Sequence, residues 1–295
     1  MANCLICGGG DVKTIKTKVS GFLTERMFSG VEKKTDLIHC KTCGFAYYSL
    51  RPAAAELANF YKGYRDSFYQ KQRQKHDIWY TAEMNAAIGK TPVEIQNRRV
   101  NLERIIKRHL RAREIKTVLD YGGDKGQHIP DIFAAAQKFV YDLSGVAPVK
   151  GVKSLSAAEL EHKKFDFVMC SHMLEHAPDP KREISSVIKH LAPDAALYVE
   201  LPFDSPFSPC RWTDRVRFVI KNPAQGLHFA WRRFLNIKKE SGAFCPMHEH
   251  INYFTPASAA KLLQEQGLAI IYKDSSNIDF GWIKSKVISV IARVK

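Results

Sequence analysis

Two Cys-x-x-Cys pairs, Cys4/Cys7 and Cys40/Cys43, stand 32 residues apart near the amino terminus. Each pair can place two thiolates on one tetrahedral metal, and two pairs complete four sulfur ligands. Gly8 and Gly44 each follow a second cysteine. Glycine there permits the tight turn that aims backbone N–H groups at sulfur. A closed four-sulfur set has no open position for water, so the spacing predicts a structural zinc rather than a catalytic one. Cys170, Cys210 and Cys245 are scattered. The odd total of 7, with no export signal, argues against a disulfide framework.

The second chemical feature is "VLDYGGDKGQ", Val118 to Gln127. Asp120 is expected to end a strand, and Gly122, Gly123 and Gly126 let the backbone turn sharply and approach a ligand. Asp124 stands where such loops carry glycine, and a carboxylate there would repel a pyrophosphate. No Lys-Ser/Thr follows, which excludes a P-loop. A cofactor without phosphates and with a cationic centre avoids the conflict, and S-adenosylmethionine is such a molecule. Asp142 lies 22 residues beyond Asp120, at the end of "FVYDL". That is the distance at which a carboxylate takes ribose hydroxyls in nucleotide-binding sheets, although a turn or helix-cap role also suits an aspartate there.

Two histidine clusters could supply a base. "HMLEH" holds Glu175 and His176, directly after an expected strand. "MHEHINYF" holds His248, Glu249 and His250. The expectation is a base among His248 and His250, oriented by Glu249. His176 is the competing assignment and would otherwise position a loop. In an extended segment, 248 and 250 would share one side and Glu249 would face away. A metal at His248 and His250 lacks a clear third ligand in the sequence.

The elements that must position these residues follow from periodicity. "TVLDY", "FVYDL", "FDFVMC" and "ALYVEL" read as buried strands, and "PDIFAAAQ" and "KREISSVIKHL" as helices between them. This alternation implies a mostly parallel sheet covered on both faces. A helix, "TPASAAKLLQEQGL", and two strands, "LAIIYKD" and "KVISVIARV", close the chain. Residues 53–115 read as a helical linker or cap. Its last helix places Val100, Leu102, Ile105, Ile106 and Leu110 near one face. The expected domains are a zinc module at 1–52, this cap, and an α/β domain at 116–295.

The order "VLDYGGDKG", "YDLSG", "FDFVMCSHMLEHAPDP", "LYVELP" resembles the class I S-adenosylmethionine-dependent methyltransferases over about residues 100 to 203. The resemblance implies a Rossmann-like sheet with an antiparallel last strand. It implies that Asp120, Tyr121, Gly122, Gly123, Gly126 and Gln127 border the methionine end of the cofactor. Asp142 would take the ribose, and Ser171 and His172 would lie beside the cofactor. The cysteine module ahead of this fold is similar to that of sugar methyltransferases from antibiotic and surface-polysaccharide pathways. That similarity implies a sugar or glycan acceptor, free, nucleotide-linked or lipid-linked. The further domain usual in sugar C-methyltransferases is not seen, which favours O-methylation.

The 295 residues are 45% apolar and 25% charged, as in globular domains. No window approaches about 18 uninterrupted apolar residues and no signal peptide opens the chain, so the cytoplasm is the expected location. The net charge of +15 suits solubility, anionic lipid, nucleic acid or a phosphorylated substrate. Residues 204–247 read as an insertion. Within it, 211–240 carry eight Arg or Lys against two acids, interleaved with Trp212, Phe218, Phe229, Trp231 and Phe234. A solvated helical face, a strand-tracking nucleic-acid surface and a membrane-surface segment all fit this pattern. The glycan resemblance selects the cytoplasmic face of an anionic membrane. The rivals to sugar methylation are an RNA methyltransferase and a non-catalytic scaffold of the same fold.

Overall fold

A computed structural model describes residues 3–77, 80–207, 246–281 and 283–294. Residues 208–245 hold the basic aromatic segment together with Cys210 and Cys245, so the membrane expectation lies outside the described residues.

The main sheet has seven strands. They are β4 (Thr117–Tyr121), β5 (Gln137–Tyr141), β6 (Val152–Ser154), β7 (Phe165–Ser171), β8 (Leu191–Pro202), β10 (Leu268–Asp279) and β11 (Lys284–Val294), in the spatial order β10-β11-β8-β7-β4-β5-β6. β4 pairs in parallel with β5 and β7, and β7 pairs in parallel with β8. β11 runs antiparallel to β8 and to β10. This is the expected Rossmann-like architecture with an antiparallel last strand.

Strand alternation builds two cores. Val118, Phe167, Met169 and Ala196 face Leu102, Ile105 and Ile106 of helix α5 (Pro92–His109). Leu119, Val168, Cys170, Leu197, Val199 and Ile288 face the other layer. That layer holds Ile184 and Val187 of α7 (Pro180–Ile188) and Leu262 and Leu263 of α8 (Pro256–Glu265). Every second residue of a central strand points to each layer, so both sets must be apolar.

Two expectations are corrected. "PDIFAAAQ" is not a helix: only a 3-10 turn forms at Asp131–Phe133. Phe133 and Ile129 plug against the α5 layer, which already covers that face of β4 and leaves no apolar area for a further helix. On α5 itself, Val100 is exposed, while Glu94, Arg98 and Asn101 share the buried face with Leu102, Ile105 and Ile106. Thr91 caps this helix by accepting from the Glu94 N–H at 3.1 Å, with Pro92 in its first turn.

A second sheet carries the cysteines. β1 (Val12–Lys18), β2 (Lys34–Cys40) and β3 (Ala46–Tyr48) are antiparallel, and its fourth strand, β9 (Asn252–Tyr253), comes from the far end of the chain. Cys4, Ile6, Phe45 and Tyr47 join the same apolar cluster as Phe254 and the α8 leucines. The intervening helices are α1 (Gly21–Arg26), α2 (Ala54–Tyr61), α3 (Ser67–His76) and α4 (Ala82–Ala87), with α6 (Ala157–Glu161) lying after β6. No described helix is long and apolar enough to cross a membrane.

Candidate active site

The loop after β4 explains the odd aspartate. Gly122 and Gly126 adopt φ of +74° and +70°, and Asp124 adopts +53°. The position does need the left-handed conformation that normally selects glycine. Aspartate is among the few other residues that reach it, because its short side chain bonds locally. Here the Asp124 N–H donates to Asp142 Oδ2 at 2.9 Å, and Gln127 Nε2 donates to Asp124 Oδ2 at 3.4 Å. Gly123 is packed so closely that a Cβ would fall 2.1 Å from Asp120 Cγ.

Asp120 sits under this loop at the carboxyl end of β4. It is 1% exposed, and neither carboxylate oxygen has a hydrogen-bond partner. Burial pushes its pKa up to about 7; the Arg98 guanidinium pulls it down, but the Asp142, Glu200 and Asp124 carboxylates push it further up. A buried carboxylate of this kind, without a hydrogen bond, favours a cation beside it. Asp142 follows β5 and accepts from the Ser144 N–H at 2.8 Å as well as from Asp124. Each of its oxygens keeps one further lone pair, enough together for two hydroxyls. Ser171 Oγ, at the end of β7, is buried without a partner. The Tyr121 ring lies tilted against that of Tyr141, with centroids 5.2 Å apart. The residue types and the unpartnered atoms therefore fit the ammonium and ribose of S-adenosylmethionine.

Past β7 the chain enters His172 in the left-handed region, at φ +54°, with its N–H donating to the Glu200 carbonyl at 2.9 Å. Its ring lies between two buried carboxylates, 3.3 Å from Glu175 and 3.3 Å from Glu200. Burial and Arg98 disfavour its charge, yet these carboxylates prevail and raise its pKa to about 9. The contacts are ionic rather than well-angled hydrogen bonds, since His172 Nε2 and both Glu175 oxygens lack a hydrogen-bond partner. Glu200 is fixed from behind by Arg98 Nε at 2.7 Å and the Tyr198 hydroxyl at 2.7 Å. Arg98 also reaches His128 Nε2 at 3.0 Å.

The "MHEHINYF" segment is a loop at 248–250, and it separates the three residues. His248 donates from Nε2 to Asp77 at 2.9 Å and stacks on Phe22. Glu249 turns into the helical cap, ion-paired with Arg73 and accepting from the Tyr69 hydroxyl at 2.5 Å. Its carboxylate therefore orients neither histidine, although its main-chain carbonyl accepts from His176 Nδ1 at 2.9 Å. His250 instead meets His176, ring edge to face, with centroids 4.9 Å apart, and donates from Nδ1 to Asp204 at 3.0 Å. Burial holds the His176 pKa below its usual value. The structure thus joins His176 and His250 with Glu175, and sends His248 and the Glu249 side chain elsewhere.

The cysteine sheet supports this loop directly. Arg51 donates to the carbonyls of Pro178 at 2.7 Å and Ala177 at 2.6 Å, and to Asn252 Oδ1 at 2.7 Å. Asn252 Nδ2 holds the carbonyls of Leu174 and Ala177, both at 2.7 Å, and the Ile251 N–H donates to the Glu175 carbonyl at 2.8 Å. Beneath, Cys4 and Cys43 sulfurs are 3.6 Å apart, as are those of Cys7 and Cys40. Four thiolates at about 2.3 Å from a tetrahedral zinc stand about 3.8 Å from one another, so the donor set fits such an ion. Gly8 and Gly44 have φ of +69° and +75°, and their N–H groups donate back to the Cys4 and Cys40 carbonyls at 3.0 Å.

Residues 95–273 match the pattern of a family described as "Methyltransferase domain". The chain belongs to this methyltransferase family. Ubiquinone biosynthesis O-methyltransferases of Neisseria meningitidis and Hahella chejuensis are similar to it, 30% and 33% identical over 78 residues. That stretch is 26% of this chain and 32% of each relative, so the chain spans about a third of their length. Among solved structures, 1,6-didemethyltoxoflavin-N1-methyltransferase of Burkholderia thailandensis is 15% identical, with a TM-score of 0.48 over 88% of this chain and 96% of that one. A methyltransferase of Methanosarcina mazei is 22% identical, with a TM-score of 0.38 over 64% and 96%.

Several working residues of this methyltransferase escaped sequence reasoning. Arg98 looked like one cation among many on a basic helix. Its partner Glu200 did carry a signal, an acid at the end of the apolar run "ALYVEL". Arg51, Asn252 and Asp204 carried none.

Proposed function

We propose that this methyltransferase moves the methyl group of S-adenosylmethionine to a hydroxyl oxygen, most simply that of a sugar. The observation that carries the reading is Asp120, a buried carboxylate with both oxygens unpartnered beneath a left-handed glycine loop. In this reading the cofactor's ammonium pairs with Asp120 and its ribose with Asp142, while Ser171 and His172 border its sulfonium end. The acceptor oxygen uses a lone pair to form the new O–C bond. The S–C bonding pair stays on sulfur and leaves a neutral thioether, and the hydroxyl proton departs through the Glu175–His176–His250 cluster to solvent. The protein's contribution is alignment and proton removal, since the sulfonium is already activated.

Oxygen as acceptor atom agrees with the names of the two ubiquinone relatives. The sugar rests on the cysteine module's resemblance, and the four sulfurs would hold a structural zinc. Residues 211–240 would bring the enzyme to anionic membrane where lipid-linked glycans are built. The test is transfer of labelled methyl from S-adenosylmethionine to fractions containing nucleotide sugars and lipid-linked glycans, with a quinol and RNA in parallel. Label in a glycan fraction supports the reading. Label only in quinol replaces the acceptor, and label only in RNA overturns the glycan assignment.

A further inference from the structure

We propose that Glu175, His176 and His250 form a divalent-metal site at the acceptor end of the cofactor pocket. The proposal deepens the methyl-transfer reading above and rests on it for its role, though not for its geometry. Each residue offers one ligand atom, and the three atoms lie within 4.8 Å of one another. Glu175 is 1% exposed, and both of its oxygens lack a hydrogen-bond partner. The carboxylate is held only by ionic contacts, to His172 Nδ1 at 3.3 Å and His176 Nε2 at 3.9 Å, so its lone pairs remain open to an ion.

The histidines are prepared as ligands usually are. A metal-binding imidazole donates its other ring N–H to a carbonyl or carboxylate, which fixes its tautomer and orientation. His176 Nδ1 donates to the Glu249 carbonyl at 2.9 Å, and His250 Nδ1 donates to Asp204 at 3.0 Å. In each ring this leaves Nε2 as the nitrogen with a free lone pair. Ligand atoms around one ion at about 2.1 Å stand roughly 3–3.5 Å apart. The observed spread therefore closes with side-chain movements of about 1 Å. His172, 3.3 Å from the Glu175 carboxylate, lies beside the site on the cofactor side.

Two imidazoles and one carboxylate suit zinc, cobalt or manganese better than magnesium, which prefers oxygen alone. Three protein ligands leave positions open, unlike the closed cysteine set. The site is contiguous with the cofactor loop: a Cβ on Gly122 would lie 2.1 Å from the sulfur of Met173, two residues before Glu175. An ion there would draw the acceptor oxygen in and lower the pKa of its hydroxyl. With the metal bound, the three residues act as ligands, and the acidified hydroxyl gives its proton directly to solvent.

The test adds Co2+ to the full-length, zinc-replete protein and follows visible absorption. The expected result is one cobalt per chain with nitrogen/oxygen-type bands and no sulfur-to-cobalt charge transfer. Glu175→Gln and His250→Ala should each weaken it at least about tenfold, while His248→Ala keeps it. Binding of S-adenosylhomocysteine, measured in parallel without added cobalt, should be retained in all three variants and serves as the check of folding. No cobalt bound outside the cysteines, or binding indifferent to Glu175→Gln and His250→Ala, overturns the site. Failure of the wild type to bind S-adenosylhomocysteine would instead overturn the methyl-transfer reading and leave the metal result standing.

Discussion

The backbone N–H of Asp124 donates to Asp142 Oδ2 at 2.9 Å, tying the loop after β4 to the end of β5. The bond holds a non-glycine residue at φ +53° and places the proposed ribose carboxylate against the turn. The two aspartates thus act on one backbone path, one by adopting it and the other by bonding it.

Asp124 variants should follow backbone preference rather than charge. Asp124→Gly and Asp124→Asn should keep stability and S-adenosylhomocysteine affinity near wild type. Asp124→Val should cost about 1–2 kcal/mol, the penalty of a left-handed L residue without a local side-chain bond. Urea unfolding of the set checks this. Equal stability of the valine and glycine variants would mean that the loop has another path.

Asp120 predicts a pH signature. Its folded pKa of about 7 lies above the ordinary carboxylate value near 3.9. The folded state therefore binds the proton more tightly than the unfolded chain. Its contribution to stability is highest below about pH 4 and is lost as pH rises through about 7. In the apo protein, Asp120→Asn should remove that part of the decline between these values, measured by denaturation at several pH values. S-Adenosylhomocysteine binding needs the ionised carboxylate, so its affinity should rise with pH and level off above about 7.

The cysteine set should carry about one zinc per chain, and its loss should be felt at the active site. The Cys43 carbonyl accepts from the Thr255 hydroxyl at 3.0 Å at the start of α8, and Arg51, three residues past β3, bridges to Pro178 and Ala177. Chelation, or Cys40→Ser, should lower the unfolding temperature and increase hydrogen exchange at 174–178. Full cobalt and S-adenosylhomocysteine binding in metal-stripped protein with unchanged exchange would show that the module does not support the loop.

The helical cap makes a separate prediction. Because Glu249 pairs with Arg73 and Tyr69, Glu249→Gln should destabilise the protein by about 2–3 kcal/mol, less than for a fully buried pair. His248→Ala should retain methyl transfer within a fewfold. A hundredfold loss of turnover in His248→Ala, with the fold intact, would return the base to that residue.

The parts legible in the sequence were those encoded locally. Apolar runs gave β4, β5, β7 and β8, and Cys-x-x-Cys with a trailing glycine gave the four-sulfur cluster. Asp142 could be placed at the end of β5 because its spacing from Asp120 reflects one crossover of the sheet. The helix expected after the glycine loop failed because α5, upstream in the chain, had already covered that face. Glu175 with His250, 75 residues apart, could not be paired from sequence. Neither residue has a local pattern that names the other, and the register is set by Asn252 and Arg51. The separation of His248 from His250 was hidden for a related reason. A two-residue alternation assumes a strand, and the chain at 248–250 is a bend.

Calorimetric titration of the full chain with S-adenosylhomocysteine tests the central claim most directly. One site per chain is predicted, weakened by about 1–3 kcal/mol in Asp142→Ala, the cost of unpairing buried hydroxyl contacts. Absence of binding to the wild type between pH 7 and 8, or affinity unchanged by Asp142→Ala and Asp120→Asn together, would contradict it.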